Sequence, residues 1–367
     1  MRAADARVCH GAVCLGAMKD IRSLFALIAA MLITLSSAAQ KGDLRIAAVD
    51  VEGGQATLFV SPTGQSLLVD TGWDGNNGRD ADRIVVAAKA MGLSRIDTVL
   101  LTHYHDDHIG GVPQLVARFP VGAFLDHGER IPTDPNDTSF LDRYRKVLAT
   151  GKYKHFVVKA GGKLPAPGFD ATAISSNGAV KHDLSARTSN PLCATAKKPA
   201  TDTQENGQSL GFLLRFGGLK IVDAGDLTSD REYDLVCPVN QLGGVDVLIV
   251  SHHGVDWSSS PVFINSIAPR VAIMDNGDHK GASTSVIDTL RKSPRMEALY
   301  QLHNAPPAGS SNPGKTPQGG PEHNTAADFI ANPAGVDGKN ILLTIHPSGT
   351  VDVTNERTGV LKRFARK

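Results

Sequence analysis

Cysteine is scarce in this chain. Only four of its 367 residues are Cys, and Cys9 and Cys14 fall in an N-terminal segment that reads as a leader. Cys193 and Cys237 have no CxxC partner, so no zinc knuckle is encoded. As an even pair in a chain bound for an oxidising compartment, they are expected to be joined. An excess of charge is also missing. The formal net charge is +1, which excludes a chain-wide attraction to nucleic acid or anionic membrane and leaves only a local patch for such binding. After residue 39 no apolar run approaches the roughly 20 residues that span a bilayer. What is present is a 41% hydrophobic composition, enough for a real core and far from that of a disordered tail.

The leader has three parts. Met18-Lys19-Asp20-Ile21-Arg22 is basic, Leu24–Leu35 is apolar, and Ser37-Ala38-Ala39 offers small residues where a signal peptidase reads. The expectation is a true start at Met18, removal of residues 1–39 and export to the periplasm or beyond. An uncleaved anchor is the alternative. Residues 40–367 read as one domain, with no span in the mature chain.

Short apolar runs punctuated by turns follow. Leu44–Val49, Ala56–Val60 and Ser66–Val69 read as strands, the third ending in Asp70-Thr71-Gly72. Arg79–Met91 has helical spacing closed by Gly92. Asp97–Leu101 reads as a buried strand, Val112–Phe119 and Phe140–Ala149 as helices. Residues 120–205 are otherwise poorly legible. Ser209–Phe216 and Leu219–Ala224 form a hairpin across Gly217-Gly218. Val245–Val250 is a strand ending in Ser251-His252-His253-Gly254. Pro261–Ile267 is a helix, Val271–Met274 a strand and Thr284–Arg291 a helix. A Pro/Gly-rich loop at 305–321 and a C-terminal hairpin, Ile341–Ile345 with Thr350–Thr354, finish the chain.

The densest chemistry is Thr102-His103-Tyr104-His105-Asp106-Asp107-His108, directly after the buried strand. In an extended loop alternate residues face the same way, so His103 and His105 can turn to one ion. Asp107 and His108 then serve a second as the chain bends. Imidazole with carboxylate suits zinc, iron or manganese.

This HxHxDH run resembles the signature of the metallo-β-lactamase superfamily. Ser66–Gly72 is similar to the family's early strand and turn, Ala224-Gly225-Asp226 to its GD motif, and Leu248–His252 to the strand that delivers its last histidine. The resemblance implies an α/β fold, a four-layer αββα sandwich with the site at one edge of two sheets. It implies two divalent ions, zinc foremost with manganese or iron as alternatives. His103 and His105 would hold the first, Asp107, His108 and His252 the second, and Asp226 would bridge them. His252 is preferred over His253, which would face away or support a ligand. Asp70 would orient a ligand histidine. Asp50–Ala56 and His252–Gly254 further resemble the hydrolase domain attached to the DNA-uptake channel ComEC, here free-standing. One departure stands out. Where the superfamily has a third histidine on the first ion, this chain has Glu205-Asn206-Gly207. Asn206 is either a weaker oxygen ligand, which moves that ion towards manganese, or a turn residue, and His182 is a possible substitute.

Tyr104 and His279 are further candidates for substrate contact, though loop packing is the better expectation for Tyr104. His127 and His155 are expected at the surface, and His303, His323 and His346 as loop histidines outside the site. Asp107 is the expected catalytic residue, as metal ligand and proton acceptor. The expected function is metal-dependent hydrolysis of a phosphodiester, with nucleic acid as one such substrate. The alternatives are a lactone, β-lactam or thioester hydrolase acting on a small molecule, and a non-catalytic exported binding module. Residues 143–163 carry Arg143, Arg145, Lys146, Lys152, Lys154, Lys159 and Lys163 without an acid. This stripe could follow a phosphate backbone, but a solvated face is the slightly better expectation.

Overall fold

The computed structural model describes residues 42–129, 139–182, 189–305, 323–335 and 337–366. The leader with Met18, Cys9 and Cys14, and the 305–321 loop beyond Ala305, lie outside them.

Two mixed sheets form the frame. The first runs through β1 (Leu44–Ala48), β2 (Thr57–Val60), β3 (Ser66–Val69), β4 (Ile96–Leu100), β5 (Val121–Asp126) and β6 (Lys154–Val157). The second holds β7 (Asp170–Ser176), β8 (Ala179–Val180), β9 (Gly211–Phe216), β10 (Leu219–Asp223), β11 (Val247–Ile249), β12 (Val271–Met274), β13 (Ala298–His303) and β14 (Ile330–Asn332). The chain then returns to the first sheet as β15 (Ile341–Ile345), β16 (Val351–Asn355) and β17 (Leu361–Phe364), with β15 against β1.

Strands β3 to β6 and β10 to β14 pair in parallel. Parallel neighbours need crossovers, and helices supply them. They are α1 (Arg79–Ala90), the short α2 (Asp106–Ile109), α3 (Val112–Arg118) and α4 (Ser139–Ala149) on the first sheet, and α5 (Ser229–Val236), α6 (Pro261–Ile267) and α7 (Thr284–Lys292) on the second.

Alternation along each strand sorts the core into three layers. Leu67, Val69 and Leu100 face Phe212, Ile221 and Ile249 between the sheets, where the Phe59 and Phe212 rings meet edge to face at 5.9 Å. Leu68, Val99 and Phe124 point outward to Ile84, Leu115 and Tyr144 of α1, α3 and α4. Val222, Leu248 and Ala272 point outward to Leu235, Phe263 and Ile287 of α5, α6 and α7. These layers make the expected αββα sandwich. The C-terminal ends of β3, β4, β10, β11 and β12 carry the segments richest in ligand side chains, where open α/β sheets place ligands.

The poorly legible region is not loop alone. It contains β5 to β8, and the sequence also gave no sign of α5, β13, β14 and β17. Among the described residues no helix is long and apolar enough to cross a membrane.

Cys193 and Cys237 are bonded to each other, 44 residues apart, pinning the turn at Pro191–Ala194 to the end of α5. The covalent link restricts the unfolded chain, an effect of about 2–4 kcal/mol for such a loop. Cys193→Ser is therefore expected to lower the unfolding free energy by roughly that amount, read by denaturant titration. Two alkylatable thiols in the purified non-reduced protein would contradict the bridge.

Candidate metal centre

Each ligand-type side chain at this edge is placed by a strand end and held by a partner behind it. Asp70 follows β3 with a left-handed backbone (φ 59°). Its Oδ1 accepts the Thr102 amide at 2.8 Å and its Oδ2 the Thr102 hydroxyl at 2.7 Å. Oδ2 also lies 2.7 Å from His108 Nδ1, which leaves His108 Nε2 turned the other way. Carboxylate–histidine pairs of this kind fix the tautomer and orientation of metal ligands. His253 has Asp275 Oδ1 3.3 Å behind its Nδ1, and His252 has the Ser258 hydroxyl at 3.3 Å.

The forward nitrogens converge on Asp226. His108 Nε2 lies 3.3 Å and His253 Nε2 3.5 Å from Asp226 Oδ1. His252 Nε2 lies 3.3 Å and His103 Nε2 3.8 Å from Asp226 Oδ2. Asp107 Oδ2 joins the first group, 3.1 Å from both His108 Nε2 and His253 Nε2, and ligand atoms of Asp107, His108, Asp226 and His253 all lie within 4.8 Å of one another. His105 joins the second group, its Nδ1 3.0 Å from His103 Nε2. One carboxylate thus faces two separate donor sets.

The electrostatics match this division. Burial pushes His103 well below the ordinary imidazole range, and the neighbouring His108 and His105 add to it. Burial lowers His252 to about 4 against the opposing pull of Asp226. Burial also opposes charge on His108, but Asp226, Asp107 and Asp70 outweigh it and hold the ring well above its usual value.

Buried His108 Nε2, His253 Nε2, Asp226 Oδ1 and Asn206 Oδ1 have no hydrogen bond of acceptable geometry despite these close approaches. Buried polar atoms rarely go unsatisfied. Lone pairs aimed at a common space, from imidazole and carboxylate, fit divalent cations and suit zinc, manganese or iron.

Several expectations change here. His252 was preferred beside Asp107 and His108, yet His253 stands there and His252 stands with His103. The cause is local. Both residues of the Ser251–Gly254 turn are left-handed (φ 56° and 53°), so neither ring faces away. His252 thereby brings a third imidazole to the first donor set, and the reason to favour manganese falls away. Asn206 sits beside it, its amide nitrogen 3.4 Å from His252 Nε2. His182 is exposed. For Tyr104 the packing expectation stands, the residue being buried with its ring 4.3 Å from that of His127 and its hydroxyl donating to the Gly128 carbonyl. His279 is 83% exposed, its Nε2 3.5 Å from Asp278 Oδ2. Its neighbour Lys280 turns inward instead, forming an ion pair with Asp107. His127 and His303 lie outside the cluster but are buried, paired with Glu205 and Asp50.

The segment Asp50–Ala56 acts as a strut. The Gln55 amide donates to the Asp107 carbonyl at 3.1 Å, and its side chain donates to both Asp223 oxygens at 3.0 and 2.8 Å. It links the histidine loop of one sheet to the Asp226 loop of the other. Gly225 allows the same approach, because a Cβ there would lie 2.6 Å from Thr102 Cβ. Sequence reasoning missed Gln55, Asp275, Lys280, Trp73 and Trp257. The tryptophans had a signal, since the chain has only two and each follows a ligand motif.

A cleft of about 500 Å³ opens over the cluster. Trp73, Phe140, Gln204, Asn206, Trp257 and Lys280 line it with His105, Asp106, Asp107, Asp226 and His252.

Residues 49–183 match the model of the metallo-beta-lactamase superfamily. Hydroxyacylglutathione hydrolase of Stenotrophomonas maltophilia is 39% identical over 105 residues, covering 28% of this chain and 37% of that protein. Competence protein ComA of Neisseria gonorrhoeae is 25% identical over 236 residues, 63% of this chain and 27% of that one. The expected likeness to competence proteins is thus found, at low identity. Among solved structures, the metallo-beta-lactamase fold protein YhfI from Bacillus subtilis is 15% identical, covers 70% of this chain and 95% of its own, and has a TM-score of 0.41. The chain spans less than two fifths of the length of these two sequence relatives.

If the cluster is a metal centre, metal analysis of the purified protein should find one to two equivalents of zinc, manganese or iron. Asp70→Asn, which removes the charge behind His108, is expected to weaken metal affinity by about 10–100-fold. Asp226→Ala should weaken both ions. No metal after reconstitution would remove the assignment.

Proposed function

We propose that this chain, whose residues 49–183 match the metallo-beta-lactamase superfamily model, is an exported hydrolase of phosphodiesters that works with two divalent ions. The observation that carries this reading is the Asp226 carboxylate, with Oδ2 towards His252 and His103 and Oδ1 towards His108 and His253. His103, His105 and His252 would hold one ion, Asp107, His108 and His253 the other, with Asp226 between them. Two such ions lower the pKa of water towards neutrality and offset negative charge on substrate oxygens.

The chain's own groups have distinct tasks. Asp70 and Asp275 orient His108 and His253. Lys280, against Asp107 and lining the cleft, offers a fixed cation to an anionic substrate. Asp107 would be a ligand of the second ion, and its carboxylate is the group placed to accept the proton of the attacking water. Water adds at phosphorus, one P–O ester bond breaks, and the departing oxygen takes up that proton.

Two observations favour a phosphodiester. The likeness to competence protein ComA extends over 63% of this chain, and Lys280 suits a substrate that is anionic at neutral pH. The stretch identical at 39% to a hydroxyacylglutathione hydrolase supports a second reading, a thioester, lactone or β-lactam hydrolase. A non-catalytic module fits less well, because the cleft opens directly onto the donor sets. Export is supported by the leader pattern and by the Cys193–Cys237 bridge, since disulfides persist in oxidising compartments.

The wild-type protein should hydrolyse bis-p-nitrophenyl phosphate, lose that activity to a chelator and regain it with zinc. Asp107→Ala should lower turnover by at least roughly 100–1000-fold, the scale of losing one charge-stabilising group, with the fold intact by circular dichroism. Ready cleavage of thioesters or lactones, with the diester and single-stranded DNA untouched under every metal, would replace the phosphodiesterase reading by the second one.

A further inference from the structure

The cleft over the metal centre contains both tryptophans of a chain that is only 5% aromatic. The backbone of each is held in place. The Trp73 amide donates to Asp80 Oδ2 at 2.9 Å, and a Cβ on Gly54 would lie 3.1 Å from Trp73 Nε1. The Trp257 carbonyl accepts the Ser229 amide at 2.9 Å and the Ser229 hydroxyl at 2.7 Å. The Trp257 ring packs 5.7 Å from the His252 ring yet remains 40% exposed. An anchored, half-exposed tryptophan beside a ligand-type histidine is a costly thing to leave facing water, and rigid aromatic walls are well suited to binding flat groups. Lys280 Nζ lies 5.0 Å over the Trp73 ring while it pairs with Asp107, so a cation and an aromatic wall meet at one point of the cleft.

Size and charge restrict what these walls receive. A cleft of about 500 Å³ is of small-ligand size and far too small for a duplex. Three members of the basic stripe are already engaged by acids. Arg143 pairs with Asp74, Arg145 lies near Glu129 and Asp142, and Lys163 pairs with Asp170. We propose that Trp73 and Trp257 are specificity-determining residues that stack on nucleobases, and that the substrate is a short nucleotide phosphodiester of dinucleotide size. This rests on the phosphodiester reading above. Base-on-aromatic stacking is tolerant of sequence, so the preference is for bases over ringless ester groups and not for one base.

The test uses the full chain, zinc-loaded for turnover, and two probes, thymidylyl-thymidine and dimethyl phosphate. With only two tryptophans, intrinsic fluorescence reports directly on the cleft. Thymidylyl-thymidine, added to the protein held metal-free so that it is not turned over, is expected to quench it saturably, and dimethyl phosphate at equal concentration is not. The wild-type protein should cleave the dinucleotide with the higher kcat/KM. Trp73→Ala and Trp257→Ala should each reduce that preference about tenfold, the scale of one lost base stack, mainly through KM. Trp73→Phe and Trp257→Phe, which keep a ring and guard against misfolding, should recover most of it. Cleavage of both diesters with no preference for bases, and no change in either Ala variant, would overturn the stacking assignment and leave the phosphodiesterase reading standing. Saturable quenching by the dinucleotide without cleavage of any diester would do the reverse.

Discussion

The Asp226 carboxylate is the constraint on which the rest of this edge depends. Its two oxygens face two groups of imidazoles, and around it Asp107, His103, His108, His252 and His253 are all at most 5% exposed. Burying that many ionisable groups without partners would be strongly unfavourable. Hydrogen bonds answer this only in part: Lys280 pairs with Asp107 and His103 Nε2 lies 3.0 Å from His105 Nδ1, but His108 Nε2, His253 Nε2 and Asp226 Oδ1 have none of good geometry. Behind the rings, Asp70 Oδ2 lies 2.7 Å from His108 Nδ1 and the Ser258 hydroxyl 3.3 Å from His252 Nδ1, while Asp275 stands 3.3 Å from His253 Nδ1 without a hydrogen bond of good geometry. An arrangement braced from the rear and unsatisfied at the front is organised for cations.

The brace extends into both sheets. Gln55 ties the Asp107 backbone to Asp223, whose carboxyl burial pushes up to about 7. The Leu210 amide reaches the Thr102 carbonyl at 2.7 Å, and the His252 amide reaches the Gly225 carbonyl at 3.1 Å. The ligand loops therefore hold one another as well as the space between them. Asp50, which begins the strut, is buried against His303 at 2.7 Å and Arg83 at 3.1 Å. Asp50, Glu52 and His303 offer a second group of ligand-type atoms within 4.8 Å of one another, with the Arg83 guanidinium paired to both carboxylates.

Much of this was legible in the sequence because the central strands are buried on both faces and read as short apolar runs. Ser66–Val69, Pro261–Ile267, Val271–Met274 and Ile341–Ile345 match their expected bounds. The HxHxDH run and Asp226 come together because each sits at the end of such a strand. Legibility failed where that signal fails. The edge strand β6 is exposed at every position, and β7 is built largely from Ala, Ser and Thr, so neither looks apolar. Between His252 and His253 the family resemblance favours one ring, but two successive left-handed residues bring both to the cluster. At Gly277–Gly281 the candidate was wrong by a single position: a loop has no fixed period, and nothing in it says that Lys280 rather than His279 turns inward.

The central claim is that Asp226 stands between two ions with divided histidines. Anomalous diffraction at the absorption edge of zinc from zinc-loaded crystals tests it most directly. The account predicts two peaks on opposite sides of the Asp226 carboxylate, one among His103, His105 and His252 and the other among Asp107, His108 and His253. A single peak, two peaks with His252 and His253 on the same ion, or density only at Asp50, Glu52 and His303 would contradict it.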